Sequence, residues 1–221
     1  MDPCIQRTMN LAELPAAQCC AQLEALLQSW PQSYLARQDL AACKVQRRPA
    51  TTVVYIEAAG SWPSRYLFLY RNRKPNDVNA GKYIGVGGKV EAGESFLACA
   101  RREVREETGL LVQDLSCTGF VLYLASSEVP QLEWMAVFRA QAPAAELAAL
   151  RSCAEGDFSL LSLDEFLSGP RWEGDEVFIR PSLRGQGFGL FELVYSGEAL
   201  TAALQLPGRD LPEPETLSAI G

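Results

Sequence analysis

The chain contains no histidine. That absence removes Ser-His-Asp and Cys-His nucleophile schemes and histidine phosphotransfer. No C-x2-C pair stands in for it, which argues against a usual zinc site. No run of about 18 or more apolar residues occurs, and the start lacks a basic stretch followed by an apolar one, so neither a membrane span nor a secretory signal is expected. Positive charge is in deficit: 20 Lys and Arg against 27 Asp and Glu leave a net charge of −7. The electrostatic footprint of a protein that binds a long nucleic-acid polymer is therefore missing, whereas a free nucleotide carrying its own divalent cation is not repelled. The 7 cysteines are odd in number and irregularly spaced, which favours reduced thiols over a disulfide framework and a cytoplasmic location. Internal repeats and low-complexity tracts are also lacking.

What the chain does have is concentrated between Gly88 and Leu110, GKVEAGESFLACARREVREETGL. Gly88, Glu94, Arg102, Glu103, Glu106, Glu107 and Gly109, with apolar Val104 and Leu110, fit the pattern G-x5-E-x7-R-E-U-x-E-E-x-G-U, where U is aliphatic. At about 7% per position, a chance fit to the seven fixed residues is on the order of 10⁻⁸.

The chemistry of this segment can be read directly. Ser95 is a helix N-cap, and helical spacing places Leu97, Ala100, Val104 and Thr108 on one stripe and Glu103, Glu106 and Glu107 on a neighbouring face. Such a face is ordinarily just solvated, laced by pairs such as Arg102 with Glu106. The glycines at 85, 87, 88 and 93 in front of the helix change that reading, because small residues allow close approach of backbone to a ligand, and Lys89 adds a charge that seeks phosphate. Three like charges held together call for a shared cation, and carboxylate oxygens suit Mg²⁺, with Mn²⁺ as a substitute. Without histidine, metal-activated water assisted by a carboxylate is the natural mechanism, and a polyphosphate the natural target.

The segment resembles a complete Nudix box, the signature of hydrolases that cut nucleoside diphosphates linked to another moiety. The resemblance implies an α/β fold, an α/β/α sandwich around a mixed β-sheet. It also implies that Glu103, Glu106, Glu107 and the Gly87 carbonyl hold metal, with Arg102 orienting Glu103 as the base that takes the proton of the attacking water. An additional acid from elsewhere is common in the family, and Glu133, Glu155 and Asp157 stand open as candidates. Further stretches, RNRKPNDVNAGKYIGVGGKVEAGES from Arg71 and PRWEGDEVF from Pro170, are similar to bacterial MutT-type enzymes that hydrolyse 8-oxo-dGTP to the monophosphate and pyrophosphate, a task of nucleotide-pool sanitation and DNA repair. Trp172 and Asp175 then fall where such enzymes contact the base. The alternative for that pair is a core aromatic and a helix N-cap. Ile84 departs from the pattern, standing where the mammalian oxidised-purine enzyme has a base-reading asparagine. Two other functional readings stay open: a pyrophosphatase for ADP-ribose or a dinucleotide, and a non-catalytic ligand-binding module.

Three regions are expected. Residues 1–48 form an N-terminal helical extension, in which Asn10 caps a helix that Pro15 interrupts or kinks, set outside the catalytic unit. That helix packs on the main domain or on a second copy of the chain, so a homodimer is one expected assembly. Residues 49–205 form the hydrolase domain. Within it Thr51–Glu57 and Arg65–Tyr70 are neighbouring strands, Thr118–Leu124 and Leu132–Ala140 a hairpin, and GFGLFELVYSG a late strand. Residues 206–221, with three prolines and little apolar content, form a mobile tail.

Overall fold

In the strand β2 (Thr51–Ala59), Val54 and Ile56 point to one face of the sheet and Val53 and Tyr55 to the other. This period of two sorts the whole core into two apolar layers. The computed structural model describes residues 11–37, 45–112, 114–125, 130–184 and 188–206. Among them, nine strands form one mixed sheet in the order β4-β3-β2-β6-β5-β8-β9. The remaining members of this path are β3 (Arg65–Arg71), β4 (Tyr83–Ile84), β5 (Ser116–Ala125), β6 (Gln131–Pro143), β8 (Gly189–Ser196) and β9 (Ala199–Leu206). Two strands lie off it: β1 (Gln46–Arg47) beside β6, and β7 (Gly156–Ser162) beside β3. The expected neighbours pair antiparallel, β2 with β3 and β5 with β6, while β2 with β6 and β5 with β8 run parallel.

Helices cover both faces, giving the expected sandwich. On one side α1 (Ala16–Gln28), α2 (Tyr34–Arg37) and α3 (Phe96–Thr108) pack against Val54, Ile56, Phe120 and Phe138. A short α4 (Ala144–Ala149) adds Leu147 to this layer. On the other side α5 (Leu163–Ser168) and α6 (Asp175–Arg184) bring Phe166, Phe178, Ile179 and Leu183 against Tyr55, Phe68, Val121 and Val137. Among the described residues no helix is long and apolar enough to cross a membrane.

The box helix α3 forms as its ends dictate. Ser95 caps it by accepting from the Ala98 amide at 3.1 Å, and Gly109 stops it in the left-handed region at φ 73. Its buried stripe is Phe96, Cys99, Ala100, Val104 and Thr108, so Leu97 is only half-buried and the stripe is rotated from the expected one.

Pro15 falls in the break between helical Leu11 and α1, whose first residue is Ala16, as an interrupting proline should, and Asn10 lies outside the described residues. Proline fits there because the first helical turn has no use for its missing amide hydrogen. Of the two packings expected for the extension, the one on the main domain is seen. Cys19, Leu23, Leu27 and Leu35 are fully buried in the same layer as Phe96 and Val104 of α3. At the other end, Leu206 belongs to β9 and is completely buried, and 207–221 lie outside the described residues. β9 was not anticipated, because ALTAALQL carries few of the β-branched and aromatic residues that mark strands.

Two carboxylates fasten the extension. Glu24 accepts from Arg47 and, at 3.1 Å, from the Trp134 indole. Glu192, fully buried on β8, accepts from the Ser33 hydroxyl at 2.9 Å and from the amides of Tyr34 and Leu35 at 2.8 and 2.9 Å, closing the start of α2. Glu192→Ala strands these donors in an apolar layer and is expected to cost about 3 kcal/mol or more, at about 1.5–3 kcal/mol per charged bond. Urea denaturation measures it, and a loss under about 1 kcal/mol would show that water replaces the carboxylate.

Candidate functional site

The glycine loop runs as an extra strand along the start of β2. Thr52 and Val54 donate to the carbonyls of Gly88 and Val86 at 2.9 and 2.7 Å, and Val90 donates to Ala50 at 2.8 Å. A Cβ on Gly87 would lie 2.1 Å from the Thr52 carbonyl oxygen, so backbone forbids a side chain there, and one on Gly88 would lie 2.4 Å from Oε1 of Glu103 and would displace that carboxylate. The loop can thus press against β2 on one side while the Glu103 carboxylate rests on the other.

Arg102 organises the acids. Its Nε and Nη2 each reach one oxygen of Glu94 at 3.0 Å, a bidentate pair. Nη1 reaches Glu103 at 2.8 Å and Glu106 at 3.2 Å, and Nη2 also donates to the Lys89 carbonyl at 3.0 Å. The guanidinium hydrogen bond holds the Glu94 carboxyl below the usual carboxylate range. The solvated i,i+4 pair and the ligand-binding reading thus share one residue, since Arg102 makes both sets of contacts.

Glu107 stands apart from that network. Its carboxylate accepts the Gly87 amide at 3.3 Å, and burial, helped by the Glu103 charge, pushes it up to about 7 against the Gly87 amide and the nearby cations Arg71 and Lys74. The three glutamates share a helix face without converging. Among the described residues no three acids or cysteines gather closely enough to hold a metal ion. The reason is electrostatic: Arg102 is the counter-ion for Glu103 and Glu106, and Glu107 turns to the loop amide. The donor set nevertheless fits a hard divalent cation. It offers carboxylate oxygens beside a backbone loop, one of them desolvated and accepting the Gly87 amide at 3.3 Å, a group whose charged form a cation would favour.

The three open acids separate in space. Glu155 pairs with Arg71 and Lys74, and Asp157 accepts from Asn72 at 2.7 Å and Arg73 at 2.5 Å. Arg71 itself is buried between Glu155 and Asp77, the latter at 2.6 Å. Glu133 lies elsewhere. It accepts the Thr51 hydroxyl at 3.2 Å, and burial raises its carboxyl. With Lys89, Arg48, Thr51, Gln46 and Pro49 it lines a cavity of about 260 Å³.

Trp172 and Asp175 sit across the sheet from α3, in the α6 layer. The indole donates to Asn79 at 2.8 Å, meets Tyr195 edge-on at 5.8 Å, and lies 4.3 Å under the Lys82 ammonium. Asp175 is the first residue of α6 and not its N-cap. It is 6% exposed, its charge is felt by the phenols of Tyr55, Tyr123 and Tyr195, and burial pushes its carboxyl up to about 7. Ile84 is half-buried on β4 opposite Leu69. Sequence reasoning missed the anchoring role of Glu94, although its place in the box could have suggested it. It also missed the Arg71 cluster and the tyrosines, which only strand pairing assembles.

The comparisons with known proteins agree with this fold. The NUDIX domain family matches residues 46–180. Over 78 residues the chain is 39% identical to the zebrafish (Danio rerio) oxidized purine nucleoside triphosphate hydrolase, a match covering 35% of this chain and 47% of that protein, about half its length. The MutT protein of Bacillus halodurans superposes with a TM-score of 0.60 at 24% identity, covering 74% of this chain and 99% of that one. The MutT protein of Methanosarcina mazei Go1 does so with a TM-score of 0.52 at 23% identity, covering 66% and 99%. The chain belongs to the NUDIX domain family.

Burial of Glu107 and Asp175 sets a pH dependence. Both acids bind a proton more tightly folded than unfolded, so their contribution is fully favourable below their ordinary pKa and is lost as pH rises toward about 7. Stability in chelator is therefore expected to fall between about pH 4.5 and 7, each acid adding a slope of up to about 1.4 kcal/mol per pH unit. Asp175→Asn should visibly flatten that fall in urea titrations, and an unchanged slope would mean that Asp175 is solvated.

Proposed function

We propose that the protein is a Mg²⁺-dependent nucleoside triphosphate pyrophosphohydrolase acting on 8-oxo-dGTP or a related oxidised purine nucleotide. The observation that carries the hydrolase reading is the Arg102 network, which presents Glu103 and Glu106 beside half-buried Glu107 against the Gly87–Gly88 loop. Mg²⁺, or Mn²⁺ in its place, would be held by Glu103, Glu106, Glu107 and the Gly87 carbonyl, and when bound it supplies neutralisation of phosphate charge and acidification of water. Glu103, oriented by Arg102, accepts the proton of a water whose oxygen attacks phosphorus. A new P–O bond forms, the bridging P–O bond breaks, and the products are the monophosphate and pyrophosphate. Lys89 attracts the phosphates.

The substrate reading rests on Trp172 and Asp175 together with the named activity of the zebrafish relative. An indole ring beside a carboxyl that keeps its proton near neutral pH can stack its face on a purine, while the carboxyl both donates to and accepts from the purine edge. This reading places the enzyme in nucleotide-pool sanitation and DNA repair, with a small nucleotide as its partner and the cytoplasm, where thiols stay reduced, as its compartment. The regions 1–48 and 49–205 are kept as its organisation, with the first packed on the second and Leu206 closing the last strand of the second.

Two outcomes test it. Turnover should vanish in chelator, and Glu106→Gln should lose nearly all activity with unchanged or slightly higher stability, since one of several clustered charges is removed. Substantial turnover in that variant would remove Glu106 from the metal site. In a pyrophosphate-release assay across oxidised and normal triphosphates, 8-oxo-dGTP should exceed dGTP in kcat/KM, and Asp175→Ala should shrink that ratio more than it lowers the rate on the poorer substrate. If ADP-ribose or a dinucleotide exceeds every triphosphate, the substrate belongs to another class; binding without turnover of any nucleotide marks a ligand-binding module.

A further inference from the structure

We infer that the N-terminal segment around Ala12 and Ala16 is a positioning element for Arg102, holding the start of α3 so that the guanidinium meets Glu103 and Glu106. The inference rests on the hydrolase reading above and concerns a part of the chain outside the family match at 46–180.

The contacts straddle the helix cap. Ala16 donates its amide to the Glu94 carbonyl at 3.0 Å, Leu97 donates to the Ala12 carbonyl at 3.0 Å, and Pro15 bridges Ser95 between them in antiparallel fashion. The first amides of a helix have no partner within it. Ser95 satisfies that of Ala98, and the extension satisfies that of Leu97, so the cap of α3 is built from two distant pieces of chain. Glu94 is thereby fixed through its carbonyl by Ala16. Its carboxylate grips Arg102 in a two-point fork that also accepts the Glu91 amide at 3.0 Å.

A bidentate pair transmits orientation as well as charge. With Nε and Nη2 committed to Glu94, Nη1 is left between Glu103 at 2.8 Å and Glu106 at 3.2 Å. The segment itself is held in place by burial of Ala12 and Ala16 and, one turn further on, of Cys19. Displacement of Glu94 would swing the guanidinium and, with it, the proposed base.

Ala16→Pro tests this with little collateral change. Pro15 already has φ −49 and ψ 131, the extended setting a residue before proline takes, and Ala16 is the first helical residue, where proline is accepted. The substitution then deletes the amide given to Glu94. Pro15→Gly, which loosens the same link while keeping the amide, carries the test should Ala16→Pro not fold. Leu23→Ala is the control: it opens a cavity in the same extension far from the link and should lower the Tm while leaving kcat unchanged well below it.

In the full-length protein, Ala16→Pro is expected to lower kcat by about tenfold with KM within about twofold, since misplacement acts on the reacting geometry. In a Glu94→Gln background it should cause no further loss, because the path is already cut. Independently of turnover, the Leu97 amide should exchange faster in Ala16→Pro than in Leu23→Ala. Wild-type kcat despite faster Leu97 exchange would overturn the inference, as would losses that multiply in the Glu94→Gln background, or unchanged Leu97 exchange. Absence of turnover in the unaltered protein would instead count against the hydrolase reading, and the exchange measurement would still decide whether the segment holds the helix start.

Discussion

The site depends on one guanidinium. Arg102 faces three carboxylates, those of Glu94, Glu103 and Glu106, and the carbonyl of Lys89, so its fixed planar fork sets the geometry of helix and loop together. Remove its charge and three acids on one face repel. Keep it, and the loop is pinned to the helix through Lys89 while the absence of a side chain at Gly88 lets Glu103 settle against the backbone. The acids do not converge in this arrangement, since each has another partner.

The mixed sheet places two chemistries on opposite faces. Acids and glycine loop belong to the α3 side, where the strand-like run of Val86–Val90 beside β2 fixes the loop in the plane of the sheet. Trp172 and Asp175 belong to the α6 side, among tyrosines contributed by β2, β5 and β8. Clustered carboxylates thus lie on one face and an aromatic ring beside a buried acid on the other. Such an acid is expensive to bury, and its burial displaces its pKa upward.

The N-terminal extension couples stability to this geometry. Its apolar residues complete the layer beneath α3, Glu192 and Glu24 tie it to the sheet by several bonds each, and its backbone finishes the cap of the helix that carries the acids. A segment outside the family match has become part of the fold because it covers apolar surface that the sheet otherwise exposes.

By itself the sequence determined the box helix, its cap at Ser95 and stop at Gly109, the acids it carries and the main strand pairs. These follow from local rules, since caps, helical spacing and alternation act over a few residues. The lack of histidine likewise excluded whole mechanisms without any coordinates. Tertiary structure alone decided which acids are free and which are held. Glu155 and Asp157 are bound by cations because β7 pairs with β3, setting Gly156 opposite Arg71. Glu94 became the anchor of Arg102, Asp175 acquired a displaced pKa, and β9 became a strand through pairing with β8. Each of these depends on burial and on partners far away in the chain. Local sequence carries no record of either, because desolvation and long-range hydrogen bonds exist only once the layers have closed.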